Sequence, residues 1–146
     1  MKRIIIFSVT YYPFIGGAEI AVREITRRIT DIEFHLVTVN LNGTEKSYEK
    51  IDNVYVYRVG RGMFGKYIFP ITGVLKALSL HKKLRFDAAW SIMAAYAGFT
   101  TLFFTFLKPR IKFILTLQEG DPVEHIKSRA RLVHPVFLAI FKKADI

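Results

Sequence analysis

The order of apolar runs along this chain predicts an α/β fold, a Rossmann-like three-layer αβα sandwich around a mostly parallel sheet. Three observations carry that reading. Short apolar runs alternate with longer segments of helical period. The strand-like runs are apolar at nearly every position, as strands covered on both faces are. Helices separate most of them, which is what parallel neighbours need as crossovers. The 146 residues, 51% of them hydrophobic, suffice for one domain with a real core.

The elements follow in order. Residues 3–9 form an apolar first strand. Residues 17–30 form the first helix, with Ala18, Ala21, Val22, Ile25 and Ile29 on one face. Glu19–Arg23 and Glu24–Arg28 sit four residues apart on its outer side, in the favourable order. Residues 33–39 are the second strand, residues 40–52 a polar loop around Asn42-Gly43, and residues 53–59 an alternating third strand. A glycine-rich basic turn, residues 60–65, leads through Pro70 to a helix over residues 71–84. A fourth strand at residues 87–92 runs into an apolar helix over residues 93–106, ended by Lys108-Pro109. Residues 112–117 are the fifth strand, residues 118–122 a polar turn, and residues 132–143 the last helix. The first strand is expected at the centre of the sheet, with the fifth as its neighbour, so that the loops after both converge.

Composition narrows the function. There is no cysteine, so disulfides and thiolate metal sites are excluded, and the chain leans to the cytosol. His35, His81, His125 and His134 lack metal-ligand spacing, and no metal is expected. His125 and His134 read as surface residues. Twenty-two basic residues against 12 acidic ones give a net charge of +10. They are dispersed and accompany no nucleic-acid module, so nucleic acid is not an expected partner. Two readings of the charge stay open: solvated helix ends, or contact with an anionic membrane. Met1-Lys2-Arg3 and the following apolar run imitate a signal peptide, but the run is too short and Tyr11-Tyr12-Pro13 replaces the small cleavage residues. Residues 88–107 are long enough to suggest a span, yet Ser91, Gly98, Thr100, Thr101 and Thr105 favour a strand followed by a buried helix.

In a doubly wound sheet, ligands bind beyond the carboxyl ends of the strands. Three loops are candidates there: residues 11–19, 60–65 and 118–122. In the first, Gly16-Gly17 stands between a strand and a helix N-terminus. Glycine admits a ligand to the backbone, and the free N–H groups with the helix dipole favour phosphate. A turn that needs glycine only for sterics is the alternative. The pattern is neither a dinucleotide fingerprint nor a P-loop. In the third, Gln118, Glu119 and Asp121 offer an amide and two carboxylates to sugar hydroxyls, or serve turn chemistry with Gly120 and Pro122. Glu19 reads as a carboxylate that stabilises the helix dipole. No nucleophile–base set stands out, so no catalytic residue is nominated.

Tyr11-Tyr12-Pro13-Phe14-Ile15-Gly16-Gly17-Ala18-Glu19, then Phe86-Asp87, then Leu115 to Pro122 and Ala144-Asp145-Ile146, together resemble the N-terminal domain of the group 1 (family-four) retaining glycosyltransferases of GT-B fold. The likeness runs through nearly the whole chain. It implies one domain over residues 1–146, the acceptor-side half of a two-domain enzyme whose C-terminal donor domain is absent here. It implies a parent hexosyltransferase that moves a sugar from a nucleotide sugar to a hydroxyl with retention, while this half alone is inactive. No cofactor is implied beyond the nucleotide-sugar co-substrate. Gly16 and Gly17 match the loop that approaches the donor diphosphate. Glu119 and Asp121 match a loop facing the sugar. Gln118 stands where the family commonly has histidine, and glutamine hydrogen-bonds without titrating near neutral pH. A lipid-linked acceptor at the inner membrane face fits the basic excess and the aromatic stretch from Gly62 to Tyr67. The alternative is a non-catalytic Rossmann-like module that binds a phosphorylated metabolite.

Overall fold

The computed structural model describes residues 1–117 and 134–146. Its strands are β1 (Lys2–Phe7), β2 (Ile32–Val39), β3 (Tyr48–Ile51), β4 (Val54–Val59), β5 (Ala88–Ile92) and β6 (Lys112–Thr116). The helices are α1 (Gly17–Arg28), α2 (Gly62–Leu84), α3 (Tyr96–Leu107) and α4 (His134–Lys143). One six-stranded sheet has the order β3-β4-β2-β1-β5-β6, parallel except for β3 against β4. The α/β sandwich read from the sequence is the fold observed, with β1 paired on both sides: Ile6 stands level with Leu36 of β2 and Trp90 of β5.

Side chains alternate between two layers. Ile5, Phe7, Val37 and Ala89 face Phe69, Val74 and Ala77 of α2 and Phe104 of α3. Ile6, Leu36, Val56 and Trp90 face Ala18 and Val22 of α1. Phe113 packs with Leu102 of α3 and Ile140 of α4. Each such fully buried large side chain is worth about 1.5–3 kcal/mol over leaving it exposed.

Five local expectations are corrected. The polar loop of residues 40–52 contains an edge strand, β3, whose Tyr48 lies opposite Tyr57; its alternation, Tyr-Glu-Lys-Ile, is too polar and short to announce itself. The helix expected from Ile71 starts nine residues earlier, at Gly62, with Pro70 inside it. Proline removes one ladder bond, but Gly65, Phe69, Gly73 and Ala77 are buried at four-residue spacing, and that packing holds the helix together. The next helix begins at Tyr96 rather than Met93, because Met93 has a left-handed backbone, φ 72°. On α1 the buried residues are Ala18, Glu19, Val22 and Thr26, whereas Ile25 is exposed. Glu24 pairs with Arg28 at 3.2 Å as expected, but Arg23 turns to Asp52 at 2.6 Å, because Glu19 points into the protein. Residues 88–107 divide into β5 and α3, and among the described residues no helix is long and apolar enough to cross a membrane.

Candidate functional site

Successive strands are added on one side of β1 (β2, then β4) and then on the other (β5, then β6). That reversal opens a crevice at the carboxyl ends of β1 and β5. The loop after β1 enters it and is anchored from three directions. Thr38 Oγ1 donates to the Val9 carbonyl at 3.0 Å, and Ser8 Oγ donates to the Thr10 carbonyl at 2.7 Å. Arg58, buried on β4, donates to the Tyr12 carbonyl at 2.7 Å. The Phe14 N–H closes a turn on the Tyr11 carbonyl at 3.1 Å, across a cis Tyr12–Pro13 bond.

Gly16 then caps α1 in an extended conformation, φ −131°. The Ile20 N–H bonds to the Gly16 carbonyl at 3.1 Å and starts the helical ladder. The N–H groups of Gly17, Ala18 and Glu19 precede that ladder and have no acceptor four residues back within the helix. Glu19 organises this end: its Oε2 accepts the Gly16 N–H at 2.9 Å, and its Oε1 accepts the Thr10 hydroxyl. The carboxylate is buried and turned back onto the loop.

Thr10, Gly16, Gly17, Ala18, Glu19 and Met93 line an open depression of about 540 Å³ at this point. The glycines can now be told apart by what surrounds them. Neither Gly16 nor Gly17 has a positive φ. A β-carbon at Gly16 would stand 2.8 Å from Glu19 Oε2, but one at Gly17 would meet nothing within 4 Å. Gly17 is therefore required neither by its backbone conformation nor by its protein neighbours. It leaves the pole of α1 open to the depression, where N–H groups outside the helical ladder and the helix dipole suit an anion.

Gly60 and Gly65 behave in the opposite way. Gly60 has φ +66°, and its β-carbon would lie 3.0 Å from the Gly65 α-carbon. A β-carbon on Gly65 would lie 2.9 Å from Val39 Cγ1. At Gly60 and Gly65 this turn after β4 is closed by the protein's own packing, whereas Gly62, at the start of α2, is open but has φ +61°, which itself favours glycine.

Gln118, Glu119 and Asp121 lie outside the described residues. The strand before them, β6, is not adjacent to β1 as expected: β5 lies between, and Trp90 Nε1 on β5 donates to Thr116 Oγ1 at 2.7 Å. The loop that does share the crevice with Gly16-Gly17 follows β5. Met93 of that loop, not singled out from the sequence, lines the depression with its left-handed backbone. Its N–H donates to the Thr116 carbonyl at 2.9 Å, and its carbonyl accepts Ser91 Oγ at 2.8 Å. Strained non-glycine residues concentrate at functional sites, but Met-Ala-Ala carries no turn residue to mark one. Thr10 was likewise missed. Its signal, a hydroxyl nine residues before Glu19, acquires meaning only once the loop folds back.

Among the described lining residues, Glu19 is the sole ionisable one. The surface is built to bind rather than to transfer protons, and among the described residues no group of three His, Asp or Glu side chains gathers to hold a metal.

The chain is similar to solved structures of sucrose-phosphate synthase from Thermosynechococcus elongatus. One superposes with a TM-score of 0.73 at 13% sequence identity, covering 99% of this chain and 41% of that one. A second has a TM-score of 0.58 at 12% identity, covering 81% of this chain and 64% of that one. The chain thus spans less than two thirds of either structure. No protein-family model matches, and no curated relative does. At such identity the likeness is one of fold: this sheet and its helices match half of a GT-B glycosyltransferase.

Proposed function

We propose that the chain is the acceptor-side domain of a retaining, group 1 glycosyltransferase that moves a sugar from a nucleotide sugar to a hydroxyl acceptor. The observation that carries this reading is the open pole of α1 at the β1–β5 crevice, where Gly17 leaves space that no protein atom fills. A diphosphate has the size for that space, and the α1 N-terminus offers it N–H donors and the positive end of the dipole. The one carboxylate among the described lining residues, Glu19, is turned back onto the Gly16 N–H and the Thr10 hydroxyl. The GT-B-like fold supports the same reading. In it, the depression is one wall of a cleft. The donor's phosphates approach Gly16 and Gly17, and Gln118, Glu119 and Asp121 meet sugar hydroxyls. The acceptor is a sugar or a lipid-linked sugar, and the protein works in the cytoplasm at the inner face of the membrane. Transfer requires donor and acceptor to be held together, so this domain alone binds without turning over.

The test is a Gly17→Val substitution in a longer protein carrying this chain with a donor-binding partner domain. The β-branched side chain would project into the space assigned to the diphosphate. Turnover with nucleotide sugars is expected to fall by about a hundredfold, as for loss of a preorganised anion site, with thermal stability nearly unchanged. Equal loss of stability and activity would assign Gly17 to the turn alone.

A further inference from the structure

The outer surface of α2 does not look like that of a solvated helix. Met63, Tyr67, Ile71 and Leu75 recur every four residues opposite the buried ridge of Gly65, Phe69, Gly73 and Ala77, and each is more than half exposed. Phe64 beside them is 72% exposed. The helix α3 continues the surface. It approaches α2 closely, since a β-carbon at Gly73 would stand 2.7 Å from Thr100 Cγ2, and the Tyr67 and Tyr96 rings meet at 5.8 Å. Its own outer side shows Phe103 and Leu107, and Phe106 at 78% exposure. Scattered exposed apolar residues need no explanation, but a continuous two-helix stripe does.

Charge says what covers it. Residues 53–117, which include both helices, hold ten lysines and arginines and one acidic residue, Asp87, a net charge of +9 out of +10 for the whole chain. Neither α2 nor α3 contains a carboxylate. Among the described residues, Lys82, Lys83, Arg85, Lys108 and Arg110 form no ion pair, and they follow the stripe at the carboxyl ends of the two helices. The contrast within the molecule is clear: Arg3, Arg23 and Arg28 are matched by Glu33, Asp52 and Glu24. A second copy of this chain would place like charge against like. An anionic bilayer accepts both features, since apolar side chains enter the headgroup boundary while lysines and arginines meet phosphates.

We infer that the outer face of α2 and α3 docks on an anionic lipid surface, with Phe64, Ile71, Leu75 and Phe106 inserted and the basic helix ends on the headgroups. This inference rests on the membrane-face location in the proposed function and names the surface that makes the contact. Vesicle binding is read without any transfer reaction, so either can fail alone.

The experiment is co-sedimentation of the protein with phosphatidylcholine vesicles with and without about 30% phosphatidylglycerol. Binding is expected to the anionic vesicles and to weaken when salt rises from about 0.1 M to about 0.5 M. Ile71→Glu with Phe106→Glu should reduce binding about tenfold or more. Lys82→Glu with Lys83→Glu, a separate pair of exposed sites, should reduce it comparably and confine the remainder to the apolar term. Ile25→Glu on exposed α1 should leave binding unchanged, and circular dichroism with thermal melts checks that each variant folds. Absence of binding to anionic vesicles overturns the inference. So does binding that the Ile71 and Phe106 substitutions leave intact, or a dimer abolished by those substitutions in a protein that ignores vesicles.

Discussion

Two glycine turns follow parallel strands in this molecule, and they serve opposite ends. Gly16-Gly17 follows β1, Gly60 to Gly65 follows β4, and both open a helix. The second turn is filled at Gly60 and Gly65, where a β-carbon would press on the Gly65 backbone or on Val39, and its open Gly62 is held to glycine by φ +61°. The first is empty above Gly17, whose backbone any residue can adopt. A glycine demanded by packing reports on the fold, whereas one that nothing in the protein demands points to something outside it. The sequence shows two similar loops, and only the neighbours tell them apart.

The comparison yields experiments of decreasing size. Gly65→Val should destabilise the fold by about 1–3 kcal/mol, because Val39 and the Gly60 backbone must give way. Denaturant unfolding reads this directly, and an unchanged midpoint would erase the distinction between the turns. Glu19→Ala removes the acceptor of the Gly16 N–H and the Thr10 hydroxyl. It should cost about 1–2 kcal/mol, as the loss of a helix-capping group does. Its amide exchange should rise first at Gly16 and Ile20. Gly17→Ala is the counterpart: with room for the methyl and no positive φ, stability should rise by about 0.4–1 kcal/mol. A loss of the same size would mean that the first turn needs its glycine too.

The smallest effect lies along the pH axis. Burial, helped by Lys108 and Arg85, holds His81 below its ordinary value, and its Nδ1 accepts the Phe86 N–H at 3.0 Å at the carboxyl end of α2. Burial also lowers His35, against the opposing pull of Glu33; Arg3 adds a weaker push down. Its Nε2 lies 2.6 Å from Glu33 Oε1 and its Nδ1 3.2 Å from the Tyr57 hydroxyl, which suits a neutral ring donating to the carboxylate. The unfolded chain takes up protons at about pH 6.5 while the folded rings do not. Stability should therefore fall as pH drops below about 6.5 and level off below the folded values. The effect belongs to β2 and to the end of α2, and the α1 turn contains no histidine. Hydrogen exchange at pH 5 should accelerate around Phe86 before Ile20. His81→Gln, which keeps an acceptor, should blunt the acid sensitivity; an unaltered pH profile would contradict this assignment.

Much of the architecture was legible because burial on both faces leaves few alternatives. The apolar runs at Ile4 to Phe7 and Phe34 to Val39 admit little but parallel strands, and the paired glycines locate the first helix start. The rest depended on tertiary context. Pro70 falsely suggested a helix start near Ile71, because the four-residue ridge of small and aromatic residues under α2 outweighs one missing hydrogen bond. Ile25 suggested a buried face, whereas Glu19 and Thr26 occupy the interior, satisfied by local hydrogen bonds. In the site, Gly16 and Gly17 were readable from strand–glycine–helix order. Met93 was not, since its left-handed backbone is imposed by the Thr116 carbonyl from a strand more than twenty residues away.

The central claim is that the open end of α1 receives a phosphorylated ligand, and amide chemical shifts test it most directly. Titrating the protein with pyrophosphate, and separately with a nucleoside diphosphate, should shift the N–H signals of Gly17, Ala18 and Glu19 together and saturably. The signals of Gly60 and Gly65, packed against each other and Val39, should stay in place. Gly17→Val should abolish the response without altering the rest of the spectrum. If the Gly17 and Ala18 signals do not move, or move no more than those of Gly60 and Gly65, the open turn is not a phosphate site and the account fails.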